Sequence, residues 1–229
     1  MAGVPVLTID GPSGSGKGTI TRQIATRLGW HLLDSGALYR LVALAGQRQG
    51  LSPEDREGHA RLALSLPIRF GMDGAGNEQI WMGEPGADVT AAIRSETAGQ
   101  GASRVAVWPE VRSALLDRQR GFAQPPGLVA DGRDMGTVVF PQAGLKIYLT
   151  ASAEERALRR YNQLKDKDSG VSLAALSREI AERDRRDTTR PVAPLVPARD
   201  AVILDTTGMP IEAVVARVLA ELQGRGTSM

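Results

Sequence analysis

The 229-residue sequence contains no cysteine and few aromatic residues. The absence of cysteine excludes disulfides and thiolate metal sites, and the two histidines, His31 and His59, disfavour a zinc cluster. Aromatic residues make up 4% of the chain, which leaves few platforms for stacking nucleobases. This scarcity argues against an RNA-binding protein that uses the basic second half of the chain.

The sequence also has no long apolar run and no strong net charge. No stretch approaches the roughly 20 apolar residues that span a bilayer, and no basic region followed by an apolar signal segment opens the chain. The formal net charge of +2 is too small to indicate nucleic-acid binding. With 42% hydrophobic and 24% charged residues, the composition predicts an ordinary globular domain. Without signal or membrane-spanning segments, we expect a cytoplasmic protein, and we further expect a monomer that binds neither nucleic acid nor membranes.

The clearest motif is a glycine-rich stretch between an apolar run at residues 4–9 and a helical pattern. A strand, a glycine-rich turn and a helix together aim backbone N–H groups at one small volume, which suits a polyphosphate. Lys17 adds a cation for the β- and γ-phosphates, but Gly18 stands where Ser or Thr usually contacts the metal. A simple turn is the alternative. The residues expected to bind the nucleotide are Gly11, Pro12, Ser13, Gly14, Ser15, Gly16, Lys17, Gly18 and Thr19.

Short apolar runs alternate with helical patterns along the chain, which predicts an α/β fold with a doubly wound five-stranded parallel sheet. Strands are expected near residues 4–9, 30–33, 128–130, 146–149 and 202–204. Helices are expected at 17–28, 37–49, 53–65, 90–106, 109–122, 173–188 and 211–222, with another beginning after Ser152 and broken at 166–170. Residues 68–82 predict a small hairpin around a glycine-rich turn, and we expect it to lie outside the main sheet.

The helix expected at 37–49 has an apolar face formed by Leu38, Leu41, Val42 and Ala45. Tyr39 and Arg40 lie off this face, and we expect them to face a ligand. Ser35 or Asp34 is expected to cap the helix, and Ser52 with Pro53 to begin the next one.

Three charged clusters are candidates for the rest of the site. Arg183, Asp187 and Arg190 are spaced to share one helical face and could grip a phosphate, although an exposed ion-paired helix gives the same pattern. A second cluster could close over the transferring group from a flap, or simply cover a helix surface; it consists of Arg156, Arg159 and Arg160. The third, residues 131–134, could bind metal, read a base or form a turn.

The phosphate-binding stretch with its GKGT ending resembles the nucleoside monophosphate kinases. Four further strings resemble the bacterial cytidylate kinase family in particular, and they lie at residues 30–40, 130–137, 138–141 and 183–194. The resemblance covers most of residues 4–223. It implies a P-loop NTPase fold and transfer of a phosphoryl group from ATP to CMP or dCMP, with Mg²⁺.

The same resemblance implies how the chain divides and which residues act. It places a core at 1–35, 105–153 and 173–229, a monophosphate-binding region with an insertion at 36–104, and a lid at 154–172. Lys17 and the loop would hold ATP. The chemistry of phosphoryl transfer, and not the resemblance, leads us to expect that Arg156, Arg159 and Arg160 act in catalysis together with Lys17 and Arg190. The residues that the resemblance assigns to the acceptor are Ser35, Arg40, Ser103, Arg112, Arg133, Asp134, Arg183, Asp187 and Arg190; the magnesium ligands stay open, with Thr19, Ser15 and Asp34 as candidates.

Cytosine offers an amino donor beside two acceptors, so a carboxylate at Asp134 and a donor at Arg112 would suit it. Uracil presents an acceptor to the carboxylate, and the mismatch predicts strong preference for CMP over UMP. Two rival readings remain: a P-loop kinase of another small acceptor, such as shikimate, and a nucleotide-dependent switch. The sequence has no guanine-binding Asn-Lys-x-Asp string, which argues against the switch.

Overall fold

The computed structural model describes residues 3–72, 78–165 and 172–225. In chain order the strands are β1 (Val6–Asp10), β2 (His31–Asp34), β3 (Ile68–Met72), β4 (Glu78–Met82), β5 (Ala87–Asp88), β6 (Leu128–Gly132), β7 (Leu145–Thr150) and β8 (Val202–Asp205). The helices are α1 (Lys17–Leu28), α2 (Ser35–Arg48), α3 (Arg56–Ser65), α4 (Thr90–Ile93), α5 (Glu96–Val105), α6 (Pro109–Arg120), α7 (Ala153–Leu164), α8 (Leu173–Thr189) and α9 (Ile211–Gly224). A π-helical turn at Met135–Val139 follows β6.

The chain folds into two compact units, one formed by Met1–Asp34 with Gln119–Met229 and the other by Ser35–Arg118. The first, here called the core unit, contains a parallel sheet in the order β2-β6-β1-β7-β8. The prediction of a five-stranded parallel sheet with flanking helices is confirmed. No helix in the described ranges is long and apolar enough to cross a membrane.

The central strand β1 shows how the sheet positions polar groups. Successive side chains of a strand point to opposite faces, and Leu7 and Ile9 pack into a buried cluster with residues of α1 and α9. Thr8 and Asp10 therefore face the other side, where the π-helical turn lies: a Cβ on Gly136 would sit 2.9 Å from Thr8 Oγ1. Because β1 and β6 are paired with Asp10 opposite Gly132, the segments that follow both strands begin side by side.

The second unit, Ser35–Arg118, has its own antiparallel sheet in the order β3-β4-β5. The hairpin expected at residues 68–82 is confirmed as β3 and β4, outside the parallel sheet, and β5 adds a short third strand that the sequence did not predict. The buried cluster of this unit joins α2 to the sheet and includes Leu41, Ile80 and Ile93.

Several predicted helix boundaries in this unit are wrong. Helix α2 begins at Ser35 itself, so Ser35 lies inside the helix, directly after the strand that ends at Asp34. Helix α3 begins at Arg56, because the Asp55 side chain accepts a hydrogen bond from Gly58 N at 2.8 Å; Ser52 and Pro53 lie in the preceding turn.

The single helix expected at residues 90–106 is two helices, α4 and α5. Ser95 separates them, and its hydroxyl accepts the N–H of Ala98, which gives α5 a new start. Tyr39, which was expected to face a ligand, is buried, and its ring centre lies 5.8 Å from the guanidinium carbon of Arg112; its contact with a ligand stays a prediction. The glycine-rich turn at 73–77, the break at 166–170 and the end of the expected tail at 226–229 lie outside the described residues.

Candidate active site

The loop between β1 and α1 has a backbone that depends on glycine. Gly11 has a φ of 150°, and a Cβ added there would lie 2.0 Å from the carbonyl oxygen of Leu149. Gly14 and Gly16 also have positive φ values, of 76° and 89°, and Gly16 directly precedes α1. A helix start reached through such a turn leaves backbone N–H groups pointing at one volume, which is the arrangement that binds phosphate.

Lys17, the first residue of α1, lies folded across this loop. Its ammonium donates to Pro12 O at 2.7 Å and to Ser15 Oγ at 3.3 Å. Burial lowers the pKa of Lys17, and the neighbouring Arg133 lowers it further, while Asp131 acts in the opposite direction. Burial is the largest cause of this shift, so an anionic ligand bound at the loop would stabilise the charged form of Lys17.

Two arginines of α7 contact the loop through its carbonyl groups. Arg156 donates from Nη1 to Ser13 O at 3.0 Å, and Arg159 donates from Nη1 to Ser15 O at 3.4 Å. The third arginine of this cluster, Arg160, is half-buried and donates to Gln163 of its own helix. Arg156 and Arg159 therefore hold the loop, and the catalytic contact expected of all three arginines stays a prediction.

The segment after β6 carries charged side chains that are nearly buried. Arg133 donates from Nε to Asp187 Oδ2 at 2.9 Å and from Nη1 to Gly132 O at 3.2 Å. Asp134 lies 3.6 Å from Arg190 Nη2, and both of these side chains are at most 5% exposed. The structure thus joins four residues that the sequence had placed in two separate clusters.

Helix α8 supplies the partners of this segment. Burial alone would raise the pKa of Asp187, but Arg133 and then Arg183 hold it below its usual range, so the carboxylate stays charged. Arg190 lies just after the helix, with a φ of −61° and a ψ of 139°, and its Nε donates to Ala193 O. The expectation that Arg183, Asp187 and Arg190 share one helical face is therefore correct only for the first two.

Asp10 is a site residue that the sequence did not reveal. Its two carboxylate oxygens accept the N–H groups of Met135 and Gly136, each at 2.8 Å. Burial raises the pKa of Asp10 to about 6, although both backbone bonds oppose this shift. The signal available in the sequence was a carboxylate at the end of an apolar strand, immediately before the glycine of the loop.

The remaining predicted acceptor residues belong to the second unit. Arg40 donates to Ile93 O at 2.7 Å and Ser95 O at 3.2 Å. Arg112 is buried, donates to Ala106 O at 3.1 Å and has its guanidinium carbon 5.8 Å from the centre of the Tyr39 ring.

Two serines of this unit complete the predicted set. Ser35 is buried in the first turn of α2. Ser103 is also buried, and within the described part of the chain its hydroxyl makes no hydrogen bond. A buried hydroxyl without a partner is costly in a folded protein, so this position is suited to a polar group of a ligand.

Comparison with known proteins decides the family. A sequence model described as cytidylate kinase matches residues 7–224. The chain belongs to the cytidylate kinase family. Its similarity extends to a cytidylate kinase of Stutzerimonas stutzeri, which is 59% identical over 97% of this chain and 96% of the relative.

Two further cytidylate kinases show the same full-length similarity. The protein of Methylococcus capsulatus is 55% identical over 96% of this chain and 97% of its own length. The protein of Pseudomonas aeruginosa is 56% identical over 97% of both chains. The family resemblance read from the separate sequence strings is therefore confirmed along nearly the whole chain.

In this cytidylate kinase family member, one buried carboxylate lies beside the nucleotide loop. A Cβ on Gly18 would lie 3.6 Å from Asp131 Oδ2, and Asp131 is paired in register with Asp34 on the adjacent strand. Burial raises the pKa of Asp131, while Lys17 lowers it. Within the described ranges no group of three or more His, Cys, Asp or Glu residues could hold a metal.

Proposed function

We propose that this chain transfers the γ-phosphoryl group of ATP to CMP or dCMP, giving ADP and CDP or dCDP. The observation that carries the proposal is the match of residues 7–224 to the cytidylate kinase family. The loop at residues 11–19 adds the physical basis for the donor, because its positive-φ glycines and its lysine fit a polyphosphate.

The donor half of the reaction depends on the loop and Lys17. Backbone N–H groups would hold the β- and γ-phosphates, and the Lys17 ammonium would leave Pro12 O for a phosphate oxygen. Phosphoryl transfer is accelerated mainly by alignment and by neutralisation of charge. A strong general base is unnecessary, since the attacking phosphate oxygen of the acceptor is already ionised.

The acceptor phosphate would lie against Arg133 and Arg190. Asp187 orients the guanidinium of Arg133, and Ala193 O accepts from Nε of Arg190, so both cations are fixed before a ligand arrives. Fixed guanidinium groups bind phosphate with little further loss of conformational freedom. The resemblance adds Arg40 to this phosphate and gives Arg183 and Asp187 the ribose side. The need to neutralise charge on the transferring group suggests Arg159 and Arg160 of α7 as further cations near it.

Recognition of cytosine would depend on a carboxylate and a guanidinium of opposite hydrogen-bonding character. Asp134 would accept from the N4 amino group, and Arg112 would donate to the ring acceptors. Ser103 offers a buried hydroxyl that lacks a partner in the described part of the chain, while Ser35 would line the acceptor site. Uracil would place its O4 acceptor against the carboxylate and leave both groups without a hydrogen bond.

Magnesium is compatible with the residues beside the loop. Asp131 would hold it. Asp34 at the end of β2, Ser15 in the loop and Thr19 in the first turn of α1 are further candidates. Mg²⁺ is usually bound through one or two protein carboxylates, phosphates and water, which agrees with the position of the buried Asp131 carboxylate next to Gly18. When bound, the ion would neutralise charge on the donor phosphates.

We also propose that the protein works as a cytoplasmic monomer on free nucleotides, without binding nucleic acid or membranes. The near-balanced formal charge of +2 supports the absence of a polyelectrolyte partner. Gel filtration with light scattering measures the mass in solution, and a dimer mass would contradict this part of the proposal.

A coupled assay of ADP release tests the function. The purified chain with ATP and Mg²⁺ is supplied in turn with CMP, dCMP, UMP, AMP and shikimate, with an acceptor-free reaction as the control. We expect rapid release with CMP and dCMP, and a kcat/KM for UMP lower by a factor of about 10⁴. Release with shikimate alone would favour another P-loop kinase, and no release with any acceptor would favour a nucleotide-dependent switch.

A further inference from the structure

The carbonyl groups of the nucleotide loop need donors of their own. When successive N–H groups of a loop converge on an anion, the carbonyls between them point away from it. Ser13 O accepts a hydrogen bond from Arg156 Nη1 at 3.0 Å. The Arg156 side chain is only 6% exposed, so its contact with the loop is a fixed part of the fold.

All three nitrogens of the Arg156 guanidinium donate to protein groups. Its Nε donates to Ala151 O at 3.0 Å, and its two terminal nitrogens donate to Asp184 Oδ1 and Oδ2 at 3.1 and 2.6 Å. A two-point pair of this kind fixes the plane of the guanidinium as well as its position. The contact of Arg156 with Ser13 O is therefore set by Asp184.

Asp184 lies on α8 between two residues of the candidate acceptor site. Arg183 precedes it, and Asp187, three residues later, orients Arg133. One helix thus supports the nucleotide loop through Asp184 and the acceptor-side arginine through Asp187.

We propose that Asp184 and Arg156 are a positioning pair that keeps the nucleotide loop in its ATP-binding shape. Neither residue touches the phosphates, which differs from the catalytic contact that the sequence predicted for Arg156: Asp184 orients Arg156, and Arg156 holds the carbonyl of Ser13. The link between this pair and the acceptor side rests on the proposed function. The effect of the pair on ATP binding does not depend on the identity of the acceptor.

Replacement of Asp184 by Asn separates positioning from direct contact, because the two predict opposite results. Asp184→Asn removes the charge that orients Arg156, and we expect ATP·Mg to bind about tenfold more weakly. If Arg156 contacted the phosphates directly, loss of its competing carboxylate would leave ATP affinity unchanged or increase it. Either of those results overturns the proposal.

Calorimetric titration with ATP·Mg, without an acceptor, measures this effect on protein shown to be folded by circular dichroism. Glu182→Gln is the matched control, since it makes the same carboxylate-to-amide change on α8 and removes only an exposed pair with Arg186. We expect the control to bind ATP as the unaltered protein does. A tenfold loss in the control as well would assign the effect to α8 in general and overturn the role of Asp184.

A double-mutant cycle supplies a readout that general destabilisation does not give. Arg156→Lys keeps the charge but cannot form the two-point pair, and we expect about tenfold weaker binding of ATP·Mg. Combined with Asp184→Asn, it should cost no more than the larger single effect, because both changes break one unit. Additive losses would contradict the pair.

Two further outcomes are informative. If Asp184→Asn does not fold, Asp184→Glu displaces the carboxylate by one methylene, and unchanged ATP affinity in that variant would overturn the proposal. The unaltered protein could also bind ATP yet fail to phosphorylate CMP in the assay above. That result would contradict the proposed function and leave the test of the pair intact.

Discussion

The nucleotide loop and the segment at residues 133–139 follow neighbouring strands of one sheet, yet they present different chemistry. The loop offers backbone N–H groups, and Lys17 is its one charged side chain between residues 11 and 19. The segment after β6 offers charged side chains: Asp187 holds the side chain of Arg133, and Asp10 holds the backbone of Met135. A backbone surface binds any polyphosphate, whereas a side-chain surface can distinguish one base from another.

The physical support of the two regions differs in the same way. The loop depends on positive φ and on close approach of its backbone to Leu149, so sterics determine its shape. The segment depends on hydrogen bonds between residues far apart in the chain, with Asp10 and Met135 separated by 125 positions. Substitutions in one region are therefore expected to leave the other region intact.

The largest expected effect comes from Lys17→Ala, which removes the charged group of the loop. We expect kcat with CMP to fall by a factor of about 10³ or more, because a cation at the donor phosphates acts directly on the charge of the transition state. The remaining activity should keep its preference for CMP over UMP. Steady-state kinetics with both acceptors measure this; Arg27→Ala, which removes a partly exposed ion pair with Glu212, is the control.

A near-normal kcat in Lys17→Ala would contradict the role of this lysine. A change in the ratio of kcat/KM for CMP to that for UMP would show that the donor loop also affects base recognition. It would contradict the division of roles between the two regions.

The next effect concerns the fold of the loop. Gly11→Ala would place a methyl group 2.0 Å from Leu149 O at a φ of 150°, and we expect a loss of about 3 to 5 kcal/mol in the free energy of unfolding. Gly208→Ala is the matched control, because its φ of 67° is also positive but no atom lies within 4 Å of the added Cβ. It should cost only about 1 kcal/mol.

Urea denaturation of both glycine variants measures the difference. Equal losses would mean that backbone conformation alone limits both positions. The close approach between the loop and β7 would then contribute nothing to stability.

The smallest effect concerns Asp10, which supports the segment after β6. Because its pKa is raised from 3.8 to about 6 in the folded state, the folded protein holds this proton more tightly. The contribution to stability is complete below pH 3.8 and is lost as the pH rises through 6. The unaltered protein should therefore lose up to about 3 kcal/mol relative to Asp10→Asn between pH 4 and pH 7.

Urea denaturation at each pH gives this difference, with Asp205→Asn as a control of opposite sign. Hydrogen bonds from Thr207 hold the pKa of Asp205 below its usual range, so the advantage of the unaltered protein over this variant should grow as the pH rises towards 3.8 and then stay constant up to pH 7. A pH-independent difference between the unaltered protein and Asp10→Asn would contradict the buried, proton-holding state of Asp10.

Local sequence signals predicted much of the core unit. The strands and α1 follow from apolar periodicity, and the cap of α7 at Ser152 follows from its position before two glutamates. The nucleotide loop was also predictable, because glycines between a strand and a helix have few other uses. These features depend on residues that are neighbours in sequence.

The features that sequence missed depend on contacts over long distances. Asp10 binds a π-helical turn that exists only after β1 and β6 have paired. Asp184 and Arg156 are 28 positions apart, on different helices. The division of α4 from α5 at Ser95 was missed for another reason, since small and apolar residues on both sides continue a plausible helical pattern.

The ratio of kcat/KM for CMP to that for UMP, in the unaltered protein and in Asp134→Asn, tests the central claim most directly. The amide can donate to O4 of uracil, while its fit to the amino group of cytosine is weakened. We predict that the ratio falls by a factor of about 100 or more, with KM for ATP nearly unchanged. An unchanged ratio would contradict the assignment of base recognition to the segment after β6.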